Sequence, residues 1–433
     1  MDVNKQINLS VIGGQIPQGS VSVSGAKNAA TRLLAAALLT NEDVVLSNFP
    51  TELLDVLHKA RFMRAIGCQV QFNSTRNTVK VNAGGLVDEP PMDYDLPIRT
   101  TYLLPVGQLV RFGRSRIPYP GGCKLGERKY DLHIEVWRRL GCEVVEHEDH
   151  IEIIAGPRGL VGSEIIFPIT TVGGTENALL CGAVASGVTI LRNAYVTPEI
   201  RNLIELLCLM GAAIHVEGNS QIVIQGIGGC LRGATVKVIS DRIEALTWII
   251  YAALSSGSVT VENVPFEDMS MPLLHLQESG VDFFRNNSSV YVSPLCFARS
   301  SLQPFELACG THPGIISDMQ PFYVLLAMKA AGRSLIVDYR YPKRVSYLEQ
   351  LSLLGSSGLD WSVGDSAMIR VAGPVRLIGA EVNSTDLRGS MALVMAALLA
   401  EGRSVVRDVG MALRGYNQME LKLRALGIEF DLV

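Results

Sequence analysis

One short stretch of the chain concentrates the residues most able to do chemistry. It reads Pro120-Gly121-Gly122-Cys123-Lys124-Leu125-Gly126-Glu127-Arg128-Lys129-Tyr130-Asp131-Leu132-His133. The glycines permit a loop, and the lysines and arginine give that loop an anion-binding edge. Positive charge around Cys123 would lower the pKa of its thiol and make it reactive. The alternative is an ordinary surface loop with a spare cysteine, which a short motif cannot exclude by itself.

A second set of polar residues stands at the predicted starts of apolar helices. Four of them are cations: Lys27, Arg99, Arg242 and Arg388. A helix N-terminus carries partial positive charge and free N–H groups, so a cation there is disfavoured unless it meets an anion. These positions therefore predict contacts with an anionic ligand.

Three aspartates occupy equivalent helix starts, at Asp241, Asp318 and Asp386. Each could serve the same site or act only as an N-cap, and both interpretations stay open. Asp318 follows a loop containing Pro313 and Gly314, which would place its carboxylate at the rim of a cleft. A carboxylate there could accept a proton from a substrate hydroxyl. For His133, phosphate binding and simple packing are equally open.

The elements that must position these residues recur along the chain. Each repeat reads as an apolar helix, a short strand, a second helix, a glycine and a further strand, at a spacing of about seventy residues. The glycines that close the second helices are Gly67, Gly141, Gly211, Gly280, Gly355 and Gly427. At Gly211, a left-handed C-cap would let the chain reverse into the next strand.

Six such repeats divide naturally into two lobes of three. A first helix that is apolar all round needs cover on every side, which predicts an α/β fold with these helices inside and the sheets outside. We expect an N-terminal lobe of residues 27–238, which carries the Gly-Gly-Cys loop. Residues 1–26 with 239–433 would form the C-terminal lobe, and a ligand is expected in the cleft between the two.

Composition excludes several classes of protein. The 433 residues are 48% apolar and 18% charged, which disfavours disorder, and the net charge of −4 disfavours a nucleic-acid-binding surface. The eight cysteines show no metal-ligand spacing, so neither a metal nor a cofactor is predicted. Without a signal-peptide pattern or an apolar run of membrane-spanning length, we expect a soluble, reduced, cytoplasmic protein. Tyr119, Trp137 and Trp248 are expected in the core or its walls.

Taken together, the polar segments resemble those of the enolpyruvyl transferases, over essentially the whole chain. The matching segments are Ser24-Gly25-Ala26-Lys27-Asn28-Ala29, Pro120-Gly121-Gly122-Cys123, Gly126, Arg128, Asp131-Leu132-His133, Val172-Gly173, Thr175-Glu176-Asn177, Asp241-Arg242-Ile243-Glu244-Ala245, Ser317-Asp318-Met319-Gln320, Thr385-Asp386-Leu387-Arg388 and Arg414-Gly415-Tyr416. The Gly-Gly-Cys loop separates this chain from the shikimate branch of the family.

The resemblance implies a two-lobed inside-out α/β barrel of six helix-and-sheet modules that binds phosphoenolpyruvate and a nucleotide sugar. It implies enolpyruvyl transfer to the 3-hydroxyl of UDP-N-acetylglucosamine with release of phosphate, the first step of peptidoglycan precursor synthesis. Lys27, Arg128 and Arg414 would clamp phosphoenolpyruvate. Cys123 would be the general acid or bond covalently to it, and Asp318 would be the base. The residues implied to shape the substrate site are Asn28, Arg99, Arg128, Lys129, Tyr130, Asp131, Leu132, His133, Glu199, Asp241, Arg344, Asp386 and Arg388.

Three segments depart from the family pattern. The family's Asp-Arg-Gly-Tyr-Glu reads Leu413-Arg414-Gly415-Tyr416-Asn417, its Arg-Pro-Val-Asp-Leu reads Arg128-Lys129-Tyr130-Asp131-Leu132, and its Glu-Asn-Arg-Phe reads Pro342-Lys343-Arg344-Val345. The changes at Lys129, Tyr130, Leu413 and Asn417 favour an alternative, a paralogue that modifies another uridine nucleotide such as UMP or a different UDP-sugar. A non-catalytic nucleotide-binding regulator is a further alternative. No oligomeric state is predicted.

Overall fold

The computed structural model describes residues 7–89, 98–119, 130–355 and 357–433, except for the side chain of Arg99. The predicted site residues Cys123, Arg128 and Lys129 lie outside this description. The described residues group into two compact units, one of 7–24 with 240–433 and one of 25–239. The chain passes between the units after Ser24 and after Ile239.

Two strands begin the described chain, β1 (Leu9–Ile12) and β2 (Gln18–Ser22). The elements that follow in the unit of 25–239 are α1 (Lys27–Ala36), β3 (Asp43–Ser47), α2 (Leu54–Ala65), β4 (Gln69–Asn73), β5 (Thr78–Asn82), α3 (Pro105–Phe112), β6 (Arg114–Pro118), α4 (Asp131–Arg139), β7 (Cys142–Glu146), β8 (His150–Ala155), β9 (Glu164–Ile166), α5 (Val172–Val184), β10 (Ser186–Arg192), α6 (Pro198–Leu209), β11 (Ala213–Glu217), β12 (Gln221–Ile227) and β13 (Ala234–Lys237). A 3-10 helix at Arg99–Leu103 precedes α3.

The remaining elements belong to the other unit, of which β1 and β2 are also part. They are α7 (Arg242–Leu254), β14 (Ser258–Glu262), α8 (Ser270–Glu278), β15 (Phe284–Arg285), β16 (Ser289–Val292), β17 (Glu306–Cys309), α9 (Gln320–Lys329), β18 (Gly332–Asp338), α10 (Ser346–Leu354), β19 (Leu359–Val363), β20 (Ala367–Gly373), β21 (Glu381–Asn383), α11 (Leu387–Leu399), β22 (Arg403–Arg407), α12 (Gly410–Leu413), α13 (Met419–Ala425) and β23 (Phe430–Leu432).

The described strands form six small sheets, three in each unit. In the unit of 25–239 the strand orders are β13-β3-β5-β4, β6-β8-β7 and β11-β12-β10-β9. In the other unit they are β15-β16-β14-β2, β17-β18-β20-β19 and β21-β22-β1-β23. Most of these sheets are mixed: β2 pairs in parallel with β14, whereas β1 runs antiparallel to both β22 and β23.

Helices rich in alanine and leucine lie at the centre of each unit. Every residue of α7 is buried, and α11 is buried from Leu387 to Leu398. In the other unit α5 is buried from Gly174 onward. Because these helices present apolar side chains on all sides, they are covered by neighbouring helices and by the inner faces of the sheets. Trp137 and Trp248 are among the most deeply buried side chains, as predicted.

The helix-closing glycines explain how each second helix reverses into a strand. Gly67, Gly141, Gly211, Gly280 and Gly427 all have positive φ, between 75° and 114°. Glycine reaches this left-handed region without the steric penalty of a Cβ. Gly355 differs, because it is the C-cap of α10 with an extended backbone at φ −163°. None of the helices in the described ranges is long and apolar enough to cross a membrane.

Candidate active site

Asp318 is held between two buried arginines in the unit of 7–24 and 240–433. It lies in the one-turn 3-10 helix Ser317–Met319 that leads into α9. Nη1 of Arg344 donates to its Oδ1 at 2.7 Å, and Nε of Arg388 donates to its Oδ2 at 3.3 Å. The arginine side chains are 3% and 2% exposed, whereas Asp318 is 24% exposed. Asp318 therefore forms ion pairs instead of the N-cap that was one prediction, and it keeps an accessible carboxylate edge.

The other two predicted aspartates do cap their helices. Oδ1 of Asp241 accepts hydrogen bonds from the backbone N–H groups of Ile243 and Glu244 at the start of α7. Asp386 caps α11 in the same way. Burial raises the pKa of Asp241, although the positive charge of Arg388 opposes that shift. The capping interpretation is therefore correct for these two residues.

The arginines retain polar atoms without hydrogen-bond partners among the described residues. They are Nε of Arg344 and Nη1 of Arg388, and Oδ2 of Asp386 and the hydroxyl of Thr385 are likewise buried without a hydrogen-bond partner among the described residues. Arg344 Nε is 3.8 Å from Asp386 Oδ1, too long for a hydrogen bond. Burial lowers the pKa of Arg344, but Asp318 and Asp386 outweigh it and keep the pKa above its ordinary value. Unsatisfied buried donors of this kind are expected where a ligand supplies the missing acceptors.

The aromatic ring of Tyr416 packs against the guanidinium group of Arg388. The guanidinium carbon of Arg388 lies 5.4 Å from the Tyr416 ring centroid, a cation–π distance. The Tyr416 and Thr247 hydroxyls are 2.9 Å apart, which ties the ring to α7. The orientation of Arg388 is thus set by the ring and by Asp318 together.

Leu413 and Asn417, which depart from the family pattern around Arg414, differ from each other in their surroundings. Asn417 is 4% exposed, and its Nδ2 donates to Ser24 Oγ at 3.3 Å. The same hydroxyl accepts from Lys422 Nζ at 2.7 Å, and Lys422 forms a buried ion pair with Glu244. Asn417 therefore has an internal structural contact. Leu413 and Arg414 are half-buried, and Arg414 Nη1 lies 3.7 Å from the Met411 sulfur.

In the unit of 25–239, the start of α1 carries Lys27 and Asn28. Lys27 Nζ pairs with Asp55 Oδ2 on α2 at 2.9 Å, and this carboxylate is only 1% exposed. Asn28 Oδ1 accepts from Arg32 Nη1 at 3.5 Å, one turn further along α1. Lys27 remains 17% exposed. Its ammonium is thus anchored to α2 by the Asp55 carboxylate.

Arg32 and Lys59 are two basic residues near this site that the sequence analysis did not select. Arg32 makes a short ion pair with Glu176 of α5, which is 2% exposed. Burial raises the pKa of Glu176, with Arg32 opposing the shift. Lys59 is 1% exposed and projects from α2 toward the same group. For Arg32 the available signal was a charged residue among the alanines and leucines of α1, whereas Lys59 lies in a helix with several other charged residues and gave no such signal. Glu199, in the first turn of α6, is 7% exposed and raises the pKa of Glu176 further.

An aromatic cluster surrounds the start of α4. The Tyr130 ring stacks on Tyr102 with centroids 5.6 Å apart, and the His133 ring stacks on Tyr102 at 5.1 Å. Tyr119 packs against Tyr130 at 5.7 Å. The Tyr130 hydroxyl donates to Glu146 Oε2 at 3.0 Å, a hydrogen bond that raises the pKa of Tyr130 to about 12. Tyr130 therefore belongs to a packed cluster as well as to the predicted substrate-binding residues Lys129 to His133, which we call the acceptor segment.

The other members of that segment differ in exposure. Asp131 is exposed in the first turn of α4, and Leu132 is half-buried. His133 lies against the start of α5, where a Cβ on Gly173 would be 2.9 Å from its Nε2. Among the residues that the structure describes, no group of three or more His, Cys, Asp or Glu side chains could hold a metal ion.

Comparison with known proteins places these features in a family. The model of EPSP synthase (3-phosphoshikimate 1-carboxyvinyltransferase) matches residues 12–423. The chain is 34% identical over 424 residues to UDP-N-acetylglucosamine 1-carboxyvinyltransferase of Sulfurovum sp. (strain NBC37-1), covering 97% of each protein. It is 36% identical over 426 residues to the protein of that name from Koribacter versatilis (strain Ellin345), covering 97% of this chain and 95% of the other.

Solved structures agree with this relationship. The enolpyruvyl transferase NikO from Streptomyces tendae matches with a TM-score of 0.87 and 25% identity, covering 99% of both chains. EPSP synthase from Acinetobacter baumannii matches with a TM-score of 0.75 and 18% identity, over 99% of this chain and 100% of the other, which shows the fold alone. These matches confirm the predicted α/β class and the inside-out α/β barrel fold. The chain belongs to the enolpyruvyl transferase family of EPSP synthase, whose members are 1-carboxyvinyltransferases that use phosphoenolpyruvate and a sugar or nucleotide acceptor.

Proposed function

We propose that the protein transfers the enolpyruvyl group of phosphoenolpyruvate to the 3-hydroxyl of UDP-N-acetylglucosamine, in the synthesis of peptidoglycan precursors. The main support for this chemistry is the Asp318 carboxylate, which is partly exposed between Arg344 and Arg388. Each arginine also has a buried N–H donor without a hydrogen-bond partner among the described residues. The acceptor is supported by the 34–36% identity to UDP-N-acetylglucosamine 1-carboxyvinyltransferases over nearly the full length.

Asp318 would act as the general base. It takes the proton from the acceptor hydroxyl as that oxygen bonds to C2 of phosphoenolpyruvate, while C3 gains a proton to become a methyl group. The tetrahedral adduct then loses a C3 proton and phosphate, which restores the double bond as an enol ether. Cys123, outside the described residues, would supply the C3 proton or bond covalently to C2.

Cations would bind the phosphoenolpyruvate. This substrate carries up to three negative charges, so a carboxylate and a phosphate both need positive partners. Lys27, Arg128 and Arg414 would supply them, with Lys27 held by Asp55 at 2.9 Å. Arginine's planar fork suits both anionic groups.

The test is phosphate release from phosphoenolpyruvate in the presence of a panel of uridine nucleotides. UDP-N-acetylglucosamine is expected to support turnover, with an enol ether product detected by mass spectrometry. Release with UMP or another UDP-sugar but none with UDP-N-acetylglucosamine would overturn the proposed acceptor. No release with any acceptor, despite nucleotide binding, would favour a non-catalytic regulator.

A second candidate is transfer to another uridine nucleotide. It is favoured by Tyr130, which packs on Tyr102 and bonds to Glu146 at a position where the family pattern has a smaller residue. The match to the enolpyruvyl transferase NikO at a TM-score of 0.87 is compatible with a paralogue of this kind. The same acceptor panel decides between the two candidates, because each predicts a different preferred nucleotide.

A further inference from the structure

Lys59 is a buried lysine with no role in the chemistry proposed above. It projects from α2, and its side chain is 1% exposed. Nζ donates to the carbonyl oxygen of Thr31 at 2.6 Å and to that of Thr100 at 3.0 Å. Thr31 lies in α1, and Thr100 lies in the 3-10 helix Arg99–Leu103. One amine therefore joins three elements.

Two of those elements carry predicted substrate-binding residues. Helix α1 begins at Lys27 and Asn28, one turn before Thr31, and the Thr31 hydroxyl bonds to the Lys27 carbonyl at 3.3 Å. Arg99 is the backbone neighbour of Thr100 and starts the 3-10 helix. The links from Lys59 therefore act directly on the backbone segments that carry these residues.

Two charged side chains act on Lys59 from neighbouring helices. Arg32 on α1 repels it and Glu176 on α5 attracts it, while those two pair with each other. Asp55 on α2 is engaged by Lys27, and Glu199 on α6 acts on Glu176. Lys59 thus lacks a carboxylate of its own among the described residues.

Burial is the main reason that the pKa of Lys59 lies well below its ordinary value of 10.5, and Arg32 lowers it further. A lysine ammonium has three N–H donors, whereas a neutral amine has two. The two carbonyl contacts match the neutral form. A neutral amine also avoids the cost of burying an unpaired charge.

We propose that Lys59 is a positioning residue, which fixes the 3-10 helix at Arg99 against the start of α1 by its two hydrogen bonds to Thr31 and Thr100. It would hold the backbone spacing between Lys27, Asn28 and Arg99 without touching substrate. The effect on catalysis rests on the proposed function, but the structural role does not.

The test compares Lys59→Met, which keeps the length but loses both donors, with Lys59→Gln, whose amide keeps two N–H donors. Lys80→Met is the control, because Lys80 is exposed and pairs only with Asp43 at 2.7 Å among the described residues. Hydrogen–deuterium exchange of peptides covering 98–104 is expected to quicken about fivefold to tenfold in Lys59→Met, as for one lost hydrogen bond. Lys59→Gln should lie between wild type and Lys59→Met, and Lys80→Met should match wild type.

A steady-state measurement adds a functional readout. KM for the acceptor or for phosphoenolpyruvate should rise by about fivefold or more in Lys59→Met with kcat nearly unchanged, because positioning of binding groups acts on ground state and transition state alike. A uniform loss of kcat in proportion to the folded fraction would indicate a purely structural residue and overturn the proposal.

The pH dependence of unfolding checks the neutral amine. Between the lowered pKa of the folded state and the unfolded value near 10.5, the unfolded chain binds one more proton, so stability of the wild type rises with pH in that window. Lys59→Met should lack this rise.

An exchange rate in 98–104 equal to that of the wild type would refute the role of Lys59. A difference in stability between wild type and Lys59→Met that is flat or falling with pH would refute it as well. If the wild type turns over no acceptor, the proposed function fails, while exchange and pH dependence still decide this inference. If Lys59→Met does not fold, the same two measurements are made on Lys59→Gln, which should show a smaller rise in exchange and the same loss of the pH-dependent rise, because glutamine does not titrate either.

Discussion

At the scale of single residues, the charge balance around Asp318 decides what its carboxylate can do. Two guanidiniums that are almost fully buried meet a partly exposed acid, and the Arg344 contact at 2.7 Å is a charge-assisted hydrogen bond. Removing the acid would leave both buried cations with less compensation. Asp318 therefore stabilises the unit as well as facing a substrate.

We expect Asp318→Asn to lower turnover by about 10²–10⁴-fold, since an amide cannot act as a general base. It should also lower the free energy of unfolding by about 3 kcal/mol, the usual cost of breaking a buried ion pair. Phosphate release and urea denaturation measure the two effects. Asp360→Asn is the control, because Asp360 is 75% exposed and pairs with an exposed arginine. Full activity in Asp318→Asn would remove this carboxylate from the mechanism.

Tyr130 offers a separate test of the acceptor segment. Its pKa of about 12 means that the hydroxyl stays protonated and donates to Glu146 at neutral pH. Tyr130→Phe keeps the stacking on Tyr102 but loses that hydrogen bond, worth about 1 kcal/mol. KM for the nucleotide should rise about fivefold, whereas KM for phosphoenolpyruvate should stay the same.

The matched control is Tyr291→Phe, which removes an exposed hydroxyl in the other unit, 3.1 Å from the hydroxyl of Ser258. Both Michaelis constants should then equal those of the wild type. Equal changes in the two constants of Tyr130→Phe would argue against a selective effect on the acceptor.

At the scale of elements, the start of α5 is fitted closely to the start of α4. Gly173 stands where a Cβ would lie 2.9 Å from Nε2 of His133, and that ring is stacked on Tyr102 and tilted against Trp137. The imidazole is therefore packed on several sides and has little room to move. The absence of a side chain at Gly173 permits the close approach of the two helices.

Gly173→Ala should consequently destabilise the protein by about 1–3 kcal/mol through overpacking, and it should shift the His133 ring. Thermal unfolding and the chemical shifts of His133 measure this. A Cβ on Gly229 would meet no atom within 4 Å, so Gly229→Ala is the control and should leave stability nearly unchanged. Similar stability of the two variants would show that His133 yields without cost.

At the scale of the whole molecule, the unit that contains residues 240–433 depends on the first strands of the chain. β1 lies between β22 and β23, with Leu9 opposite both Val406 and Leu432. β2 extends another sheet beside β14. Two of the three sheets of this unit are therefore completed by residues 7–24.

A fragment of residues 240–433 alone should fold poorly, because β23 would lose its partner β1 and the sheet would lose its backbone hydrogen bonds. A peptide of residues 1–24 added in trans should restore cooperative unfolding, followed by circular dichroism. The same peptide with Val11 replaced by Asp should not, since Val11 is 2% exposed in the core. Cooperative unfolding of the fragment without any peptide would contradict this dependence.

Much of this molecule could be predicted from sequence because its signals are local and repeated. The apolar helices and the glycines after them follow from helical periodicity and from the conformational freedom of glycine, as at Gly211 with φ 114°. Asp241 and Asp386 could be recognised as possible caps for the same reason, because capping depends on residues only two or three positions away. The family segments added the reaction class through a resemblance spread over the chain.

Tertiary structure alone decided the partners of the polar residues. Asp318 looked like Asp241 and Asp386 in sequence, yet it pairs with Arg344 and Arg388, which are 26 and 70 residues away. Arg32 and Lys59 joined the candidate site only through folding of α1, α2 and α5, and Asn417 proved to bond to Ser24. Local sequence determines which helix and strand a residue enters. Ion pairs and hydrogen bonds between distant residues depend on how those elements pack, because electrostatic and hydrogen-bond energies are set by distance in space and not by separation along the chain.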